Sequence, residues 1–405
     1  MRIVNEVHAA LSRPGTVAEL LDLILDRMFR YLRPQHGVIF LRDGDGWRRA
    51  ASRTDVGTEA EFPDSRSLLE TVAVQGQAAV VSDLATDARF AAAESVIGAG
   101  LRSLVAAPLL TPDGSLGMVA LASTVANRLF TPRDLELLVP LAAAAALRIR
   151  NLDLAGEAAE RRRLEREVAL ARRVQEALLP SVLPTLSGVD LFASNEPCEG
   201  VSGDYYQVLE RPDGRLALLV ADVSGKGIGA ALVTATLDAL LAVQLERGDD
   251  PAEILTWASE QLRRKTPVEH FATVFVGFLD LAAGRLRYAS AGHDPALLLR
   301  DGGGVEELNS TGVPLGLIPD VAYSAAEVVL APGECVVVYT DGFTEACDPA
   351  DDEFGRERLT RCCLDNRDRP LPDLARCLKA SIDEHTAGAS PHDDRTLLLV
   401  RRTRG

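Results

Sequence analysis

Between Leu147 and Leu179 the chain contains no proline and a single glycine, Gly156, and charges of both signs crowd the stretch EAAERRRLEREVALARRVQEALLP. Such a segment has too little apolar surface to be wrapped in a core and no breaker to turn it back, so it reads as a helix exposed along most of its length. A helix of that kind divides a chain. The 405 residues exceed what one hydrophobic core usually serves and are therefore read as two compact units joined by a rod. Leu164, Val168, Ala171 and Leu178 keep a/d spacing, with Gln175 in an a-type slot, and the preceding alanine run 142–146 permits close helix approach. A solvated linker helix and a parallel homodimer both fit this pattern, and the homodimer is the expectation carried forward. Pro180 and Pro184 stop the helix. The resulting division is 1–150 for a first unit, 151–182 for the linker or coiled-coil helix, and 186–403 for a second unit.

The formal charge of −16 argues against a nucleic-acid partner and suits the binding of cations. No apolar run approaches the roughly 20 residues of a membrane span. The start MRIVNEVHAALSRPG lacks the long apolar core of a signal peptide, so a cytoplasmic protein without a membrane partner is expected. The six cysteines form no C-x-x-C pair, which points to reduced thiols, with Cys362 and Cys363 two neighbouring helix residues.

In the first unit an amphipathic run at Val17–Tyr31 precedes HGVIFLRD and WRRAAS, which bracket the turn Asp43-Gly44-Asp45-Gly46 as a hairpin would. A helix-like SLLETVAVQ and a short AAVVS lead to RSLVAAPLL and SLGMVALAS, which flank Thr111-Pro112-Asp113-Gly114 as a second hairpin. A further helix starts at FTPRDLELL, with Thr131 as N-cap, Pro132 in the first helical position and Asp134 in the first turn. Helix, antiparallel strands and helix describe a small α/β sensor-like unit. On SLVAAPLL, GSLGMVALAS and RLFTPRDLELLVPLAAAAALRI this unit resembles a GAF domain over nearly its whole length. That resemblance implies a small ligand or simple dimerisation. The region has no cysteine to hold a bilin, and Asn127 and Phe130 match part of a cyclic-nucleotide GAF signature. An unknown small ligand, or none, is the expectation.

The second unit offers the strand candidates DLFAS, YYQVLE, RLALLVAD, FATVFVGFLD, RLRYASAG, PALLLR, ECVVVYTD and RTLLLVR, several joined by turns such as Arg211-Pro212-Asp213-Gly214. Strong helical patterns follow Gly225 and Pro251, with more near the end. Many antiparallel strands with helices grouped apart predict an α+β unit of two sheets covered by helices.

Four aspartates in this unit stand at strand ends beside glycine or another aspartate: Asp204 in VSGDYY, Asp222 in LLVADVSGKG, Asp341 in VVVYTDGFTEA and Asp393 in SPHDDRTLLLV. A carboxylate at the edge of an apolar strand is costly to desolvate alone and wants a cation or strong hydrogen bonds. Any one Asp-Gly pair is an ordinary turn. Four in one unit point instead to a hard-oxygen site for Mn²⁺ or Mg²⁺, without the clustered His and Cys that zinc prefers. Two such ions can acidify water and neutralise phosphate. Gly225 and Gly227 would let the backbone turn sharply after Asp222, and Gly342 after Asp341. A phosphate-binding P-loop is excluded around Lys226, since the residue after the lysine is Gly227 and the upstream glycine spacing is wrong. A Ser-His-Asp reading of His293 lacks a nucleophile elbow, and both His293 and His392 read as structural or surface histidines.

On GDYY, ADVSGKGIGAAL, FATVFVGFLD, ASAGHDPALLL, TGVPLGLIP, GECVVVYTDGFTEA, FGRERL and DDRTLLLV, residues 186–403 resemble a metal-dependent serine/threonine protein phosphatase of the type-2C superfamily, in its SpoIIE and RsbU branch. The resemblance implies an αββα sandwich and attack of metal-activated water on phosphoserine or phosphothreonine without a phosphoenzyme. Carried over by position, Asp222 would bridge two ions with the carbonyl of Val223 on one of them. Asp341 and Asp393 would complete the other ion's shell, and Asp204 would act through water or a weaker third ion. Asp394 takes a neighbouring slot, and the choice between Asp393 and Asp394 stays open. Gln207 stands where relatives often carry a carboxylate, and no arginine matches the phosphate-holding one of eukaryotic members. By analogy the substrate would be a phosphorylated regulatory protein such as an anti-sigma-factor antagonist, with the first unit and the helix regulating hydrolysis. The alternative is a catalytically weak scaffold of the same fold.

Overall fold

The computed structural model describes residues 16–55, 62, 65–84, 101–124, 128–198, 200–266, 270–389 and 391–404. The chain separates into two compact units, Met1–Arg163 and Leu164–Gly405.

In the first unit, helix α1 (Val17–Leu32) begins at a capping box in which Thr16 and Glu19 satisfy each other's backbone N–H groups. Its buried face, Leu20, Leu21, Ile24, Leu25, Met28 and Leu32, repeats at helical spacing. The antiparallel sheet runs β2-β1-β5-β4-β3, from β1 (His36–Asp43), β2 (Gly46–Thr54), β3 (Ala79–Val81), β4 (Ser103–Thr111) and β5 (Gly114–Ser123). Both expected hairpins form, β1 with β2 and β4 with β5. One sheet face packs Val105, Ala107, Val119 and Leu121 against α1 and the start of the long helix, while the other packs Phe40, Ala106 and Met118 under Leu68 and Val72. The expected helix at SLLETVAVQ is a short turn, Arg66–Leu68, that widens into a π-helix over Leu69–Val74. Of the two cyclic-nucleotide signature residues, Asn127 lies outside the described residues. Phe130 is a core residue, fully buried with the Arg128 guanidinium over its ring.

The long helix α2 is one continuous element, Pro132–Glu176, so it starts well before the Leu147 expected from composition and ends before Pro180. Its N-terminus differs from expectation too. The Thr131 hydroxyl donates to Asp134 Oδ2 at 2.9 Å rather than accepting from the helix, and the Thr131 N–H donates to the same oxygen at 2.8 Å. Arg128 fixes that carboxylate from the other side at 2.9 Å. Ala142, Ala145 and Ala146, expected to permit approach of a second helix, are buried in the core of their own unit. Gln175, expected in a coiled-coil seam, is buried within the second unit, where its amide exchanges hydrogen bonds with the backbone of Ser202.

The second unit stacks two five-stranded antiparallel sheets. One runs β13-β10-β9-β8-β7 and the other β12-β11-β14-β15-β6. The eight sequence-predicted strands are β6 (Val189–Glu196), β7 (Tyr205–Glu210), β8 (Leu216–Val223), β9 (Ala272–Asp280), β10 (Arg285–Ala291), β11 (Ala296–Leu299), β14 (Cys335–Tyr339) and β15 (Arg395–Arg402). Two edge strands, β12 (Val305–Leu308) and β13 (Ala326–Val329), are only four residues long and interrupted by glutamate, too short to carry a strand pattern of their own. Helices α3 (Gly227–Arg247) and α4 (Pro251–Lys265) cover the first sheet, and α5 (Gly355–Asp365) and α6 (Leu371–His385) cover the second. The unit is therefore an αββα sandwich.

Strand alternation builds its three core layers. In β8, Leu216, Leu218 and Val220 face the opposite sheet, where they meet Leu298, Val336, Val338 and Leu398. The intervening Ala217, Leu219, Ala221 and Val223 face α3 and α4. Burial on both faces is why these strands read as continuous apolar runs. Helix α3 is long and apolar enough to cross a membrane by length and composition, contrary to the expectation that no run reached that size. One face, including Val233, Leu237, Leu241 and Leu245, is seated on the sheet, while Ile228, Leu232 and Val243 stay exposed. All six cysteines are free thiols, and Cys362 and Cys363 are neighbours in α5.

His293 is buried beyond the end of β10, with Nδ1 2.9 Å from the Thr273 hydroxyl, and burial lowers its pKa to about 4. Because the folded pKa lies below the unfolded value near 6.5, the unfolded chain takes up the proton first as pH falls. Stability from this group is complete above about pH 6.5 and is lost toward about pH 4. Asp222 and Asp341, raised in the folded state, act in the opposite direction over the same pH range, so the His293 contribution is read as a difference: between about pH 6.5 and 4 the urea-unfolding free energy of wild type should drop, relative to that of His293→Gln, by an amount on the order of 3 kcal/mol.

Candidate metal centre

The same alternation that builds the inter-sheet core decides what stands at its end. Residues 206 and 208 of β7, 218 and 220 of β8, 336 and 338 of β14, and 398 and 400 of β15 all point between the sheets. One further step of two along each strand reaches Asp204, Asp222, Thr340 and Thr396, and the next step back from Thr396 is Asp394. At one end of the sandwich the apolar layer gives way to carboxylates and hydroxyls.

Asp204 is the deepest of the carboxylates, 2 % exposed. Its Oδ2 accepts a 2.6 Å hydrogen bond from the Thr340 hydroxyl, and Thr340 Oγ1 in turn accepts from the Thr396 N–H at 2.9 Å. The Thr396 hydroxyl accepts from Asn195 Nδ2 at 2.8 Å. Burial and then the Asp222 charge push the Asp204 carboxyl well above its ordinary range, with the Thr340 and Thr396 hydrogen bonds pulling the other way. Burial wins, so the ionised form of Asp204 is disfavoured where no positive charge meets it.

Asp222 and Asp341 are partly exposed. Burial first, then Asp341, Asp393, Asp394 and Glu345, raise Asp222 to about 7. Burial, Glu345, Asp393 and Asp294 raise Asp341 to about 6. Like charges gathered without a counter-charge disfavour one another's ionisation, which is the electrostatic signature of a place built for cations. Asp393 carries the nearest positive side chain, Lys226 Nζ at 3.3 Å from Oδ2, and the same ammonium donates to the carbonyl of His392. Lys226 thus sits at the start of α3 and is tied to the Asp393 loop.

The backbone explains the glycines. Gly225 and Gly227 adopt φ values of 95° and 72°, so the chain does turn through left-handed space after Asp222. Gly342 is different: a Cβ there would stand 2.0 Å from the carbonyl oxygen of Asp394. Its role is close approach between the Asp341 and Asp394 segments, not a special φ. Val223 follows Asp222 with its side chain buried against the helix layer and its N–H donating to Gly203 O at 3.3 Å.

Asp394 is occupied by backbone N–H groups from a distant part of the chain. Oδ1 accepts from Cys198 N at 2.7 Å and Oδ2 from Gly203 N at 2.6 Å. Ligating atoms of Cys198, Asp393 and Asp394 lie within 4.8 Å of one another. Even so, that trio makes a poor cation cradle. Both Asp394 oxygens already accept short hydrogen bonds, and burial followed by the Asp394 charge pushes the Cys198 thiol up to about 11. The oxygen donors around Asp222 and Asp341 fit a hard divalent cation better.

Several contributors were not singled out in the sequence. Glu345 and Asp294 both raise Asp341, and Thr340, Thr396, Asn195 and Ser202 form the network beneath. Glu345 lies four residues beyond Asp341 and Asp294 beside His293, so carboxylates near the expected ones were the available signal. Among the histidines, His293 is a buried structural residue and His392 is exposed.

Comparison with known proteins gives two family matches. The GAF domain profile matches residues 16–149, and the profile for Stage II sporulation protein E (SpoIIE) matches 212–403. The chain is 30% identical to Protein IcfG of Synechocystis sp. over 263 residues, 58% of this chain and 41% of that protein. It is 27% identical to Phosphoserine phosphatase RsbP of Bacillus subtilis, over 58% of each chain. The chain thus spans about half the length of these curated relatives. Among solved structures, the SiaA-PP2C domain of Pseudomonas aeruginosa aligns with a TM-score of 0.53 and 28% identity, covering 60% of this chain and 99% of that one. The chain thus carries a GAF domain, matched over residues 16–149, followed by a SpoIIE-type PP2C phosphatase domain, matched over 212–403.

Proposed function

We propose that the second unit hydrolyses phosphoserine or phosphothreonine on a regulatory protein, such as an anti-sigma-factor antagonist, with Mn²⁺ or Mg²⁺ as cofactor. The observation that carries this reading is the convergence of Asp222 and Asp341, both raised by burial and by neighbouring carboxylates, at the open end of the sandwich. In this reading Asp222, the carbonyl of Val223, Asp341 and Asp393 hold two ions. Asp204 acts beneath them, its Thr340 hydrogen bond fixing its orientation for a water or a weaker third ion. The ions would supply charge neutralisation toward the phosphoryl oxygens and acidify the attacking water. Lys226 holds the Asp393 loop against the start of α3, and Asp394 clamps Cys198 and Gly203 through their backbone N–H groups. The phosphoserine phosphatase name of the relative from Bacillus subtilis agrees with this chemistry.

Regulation by the GAF unit through α2 belongs to the same proposal. Gln175, on the last turn of α2, is bonded to Ser202, whose hydroxyl accepts from the Asp204 N–H at 3.0 Å. The end of the helix is therefore two hydrogen-bonded steps from the deepest carboxylate. Exposed Leu164, Leu170 and Val174 on α2 supply apolar surface for the homodimer included in this reading.

A phosphoserine protein incubated with Mn²⁺ should be dephosphorylated, and chelator should abolish the reaction. Asp222→Asn and Asp341→Asn should each lower the rate at least about a hundredfold with the fold intact. Turnover that survives both chelator and Asp222→Asn would refute the metal-dependent reading. Thr340→Val should weaken Mn²⁺ binding about 10- to 100-fold, as loss of an orienting hydrogen bond does in other metal sites. Gln175→Ala in the full chain should change kcat while leaving Mn²⁺ affinity near wild type. An unchanged rate would remove the helix from the regulatory route.

A further inference from the structure

The second unit has a cavity that the acid cluster does not use. It lies between edge strand β6, helix α6 and the Asp341–Phe343 turn, with a volume of about 250 Å³. Its walls are apolar, formed by Phe192, Phe343, Ala375, Ile382 and Leu397. Well-packed interiors seldom leave that much apolar space, and small-molecule sites are commonly apolar hollows with a few placed polar groups.

The placed groups here are mostly cations. Arg376, Lys379 and Arg395 line the cavity against a single carboxylate, Glu196, which pairs with Lys379 at 2.6 Å. Arg395 is the telling one. Its side chain is only 6% exposed, and its nearest carboxylate, Asp383, stands 3.8 Å away, beyond hydrogen-bond reach. Of the five donors on a guanidinium, one is used by a side-chain hydrogen bond, from Nε to the Gly342 carbonyl at 3.1 Å. A largely buried guanidinium whose ion pair is long, at the wall of an apolar cavity, is a recognition element for an anion.

We propose that this cavity binds a small amphipathic carboxylate, an aromatic or short aliphatic acid whose apolar body fills the hollow and whose carboxylate meets Arg395 and Lys379. Its size suits one or two rings. The cavity also touches the proposed catalytic centre. Phe343 belongs both to the cavity wall and to the turn that carries Asp341, and Arg395 on the wall donates to the Gly342 carbonyl of that turn, so an occupant presses on the segment that orients that aspartate. Binding itself is independent of the phosphatase reading. The consequence for Asp341 rests on it.

The test titrates the full chain with 2-naphthoate and with the neutral 2-naphthamide by calorimetry. The acid should bind one per chain with a dissociation constant at or below about 1 mM, and the amide at least tenfold more weakly. Ala375→Trp, which fills the hollow, should abolish binding. Lys379→Gln, at an exposed position that folding tolerates, should weaken it severalfold. Equal affinity for acid and amide, or acid binding untouched by both substitutions, would overturn the proposal. Mn²⁺ titration with the cavity saturated should show a severalfold change in Mn²⁺ affinity. Unchanged affinity would overturn the link to Asp341, whereas a chain that binds naphthoate but no Mn²⁺ at all would overturn the metal centre and leave the cavity site standing.

Discussion

The hydrogen bond from the Thr340 hydroxyl to Asp204 is the point at which the apolar sandwich gives way to an acid cluster. Every strand that reaches this end brings an inward position, and filling them with apolar side chains would have closed the layer. A buried carboxylate is tolerated only where donors or cations meet it. Thr340, Thr396 and Asn195 supply donors from three strands that belong to one sheet, and Asp204 comes from the edge of the other. The network therefore ties the two sheets together across the floor of the acid cluster.

The charges above that floor are left uncompensated by the protein. Lys226 meets Asp393, but Asp222 and Asp341 are raised by their neighbours instead of being paired. Surface ion pairs elsewhere in the unit, such as Arg215 with Asp213, show that cations were available to the fold. Their absence around Asp222 and Asp341 among the described residues leaves the pair suited to a divalent ion. Positioning comes from backbone as much as from side chains: Gly342 lets the Asp341 turn sit against Asp394, and Asp394 spends both oxygens on amides.

Much of this was legible in the sequence because the physics behind it is local. Apolar runs buried on both faces, Pro-Asp-Gly turns and Asp-Gly strand ends all have short-range signatures, and the strands from YYQVLE to RTLLLVR lie where those signatures place them. The edge strands β12 and β13 were not legible, since VEEL and AEVV owe their strand state to a neighbour's hydrogen bonds and not to their own pattern. The long helix shows the same limit. Its helicity follows from composition, but its start at Pro132 and the burial of Ala142, Ala145 and Ala146 depend on α1 and the sheet beneath.

Sequence alone determined which residues would be acidic at strand ends, that the cluster would be of carboxylates and not imidazoles, and that glycines would flank them. Those are properties of residue type and short spacing. Tertiary structure decided the division of labour. Asp393 and Asp394 are adjacent and chemically identical, yet one faces Lys226 and the other fastens residues 198 and 203, which lie nearly two hundred positions away in the chain. Gln175 reads as a seam residue until Ser202 is brought to it. The pairing of distant backbone with a particular side chain is set by how two sheets stack, and no local pattern carries that information.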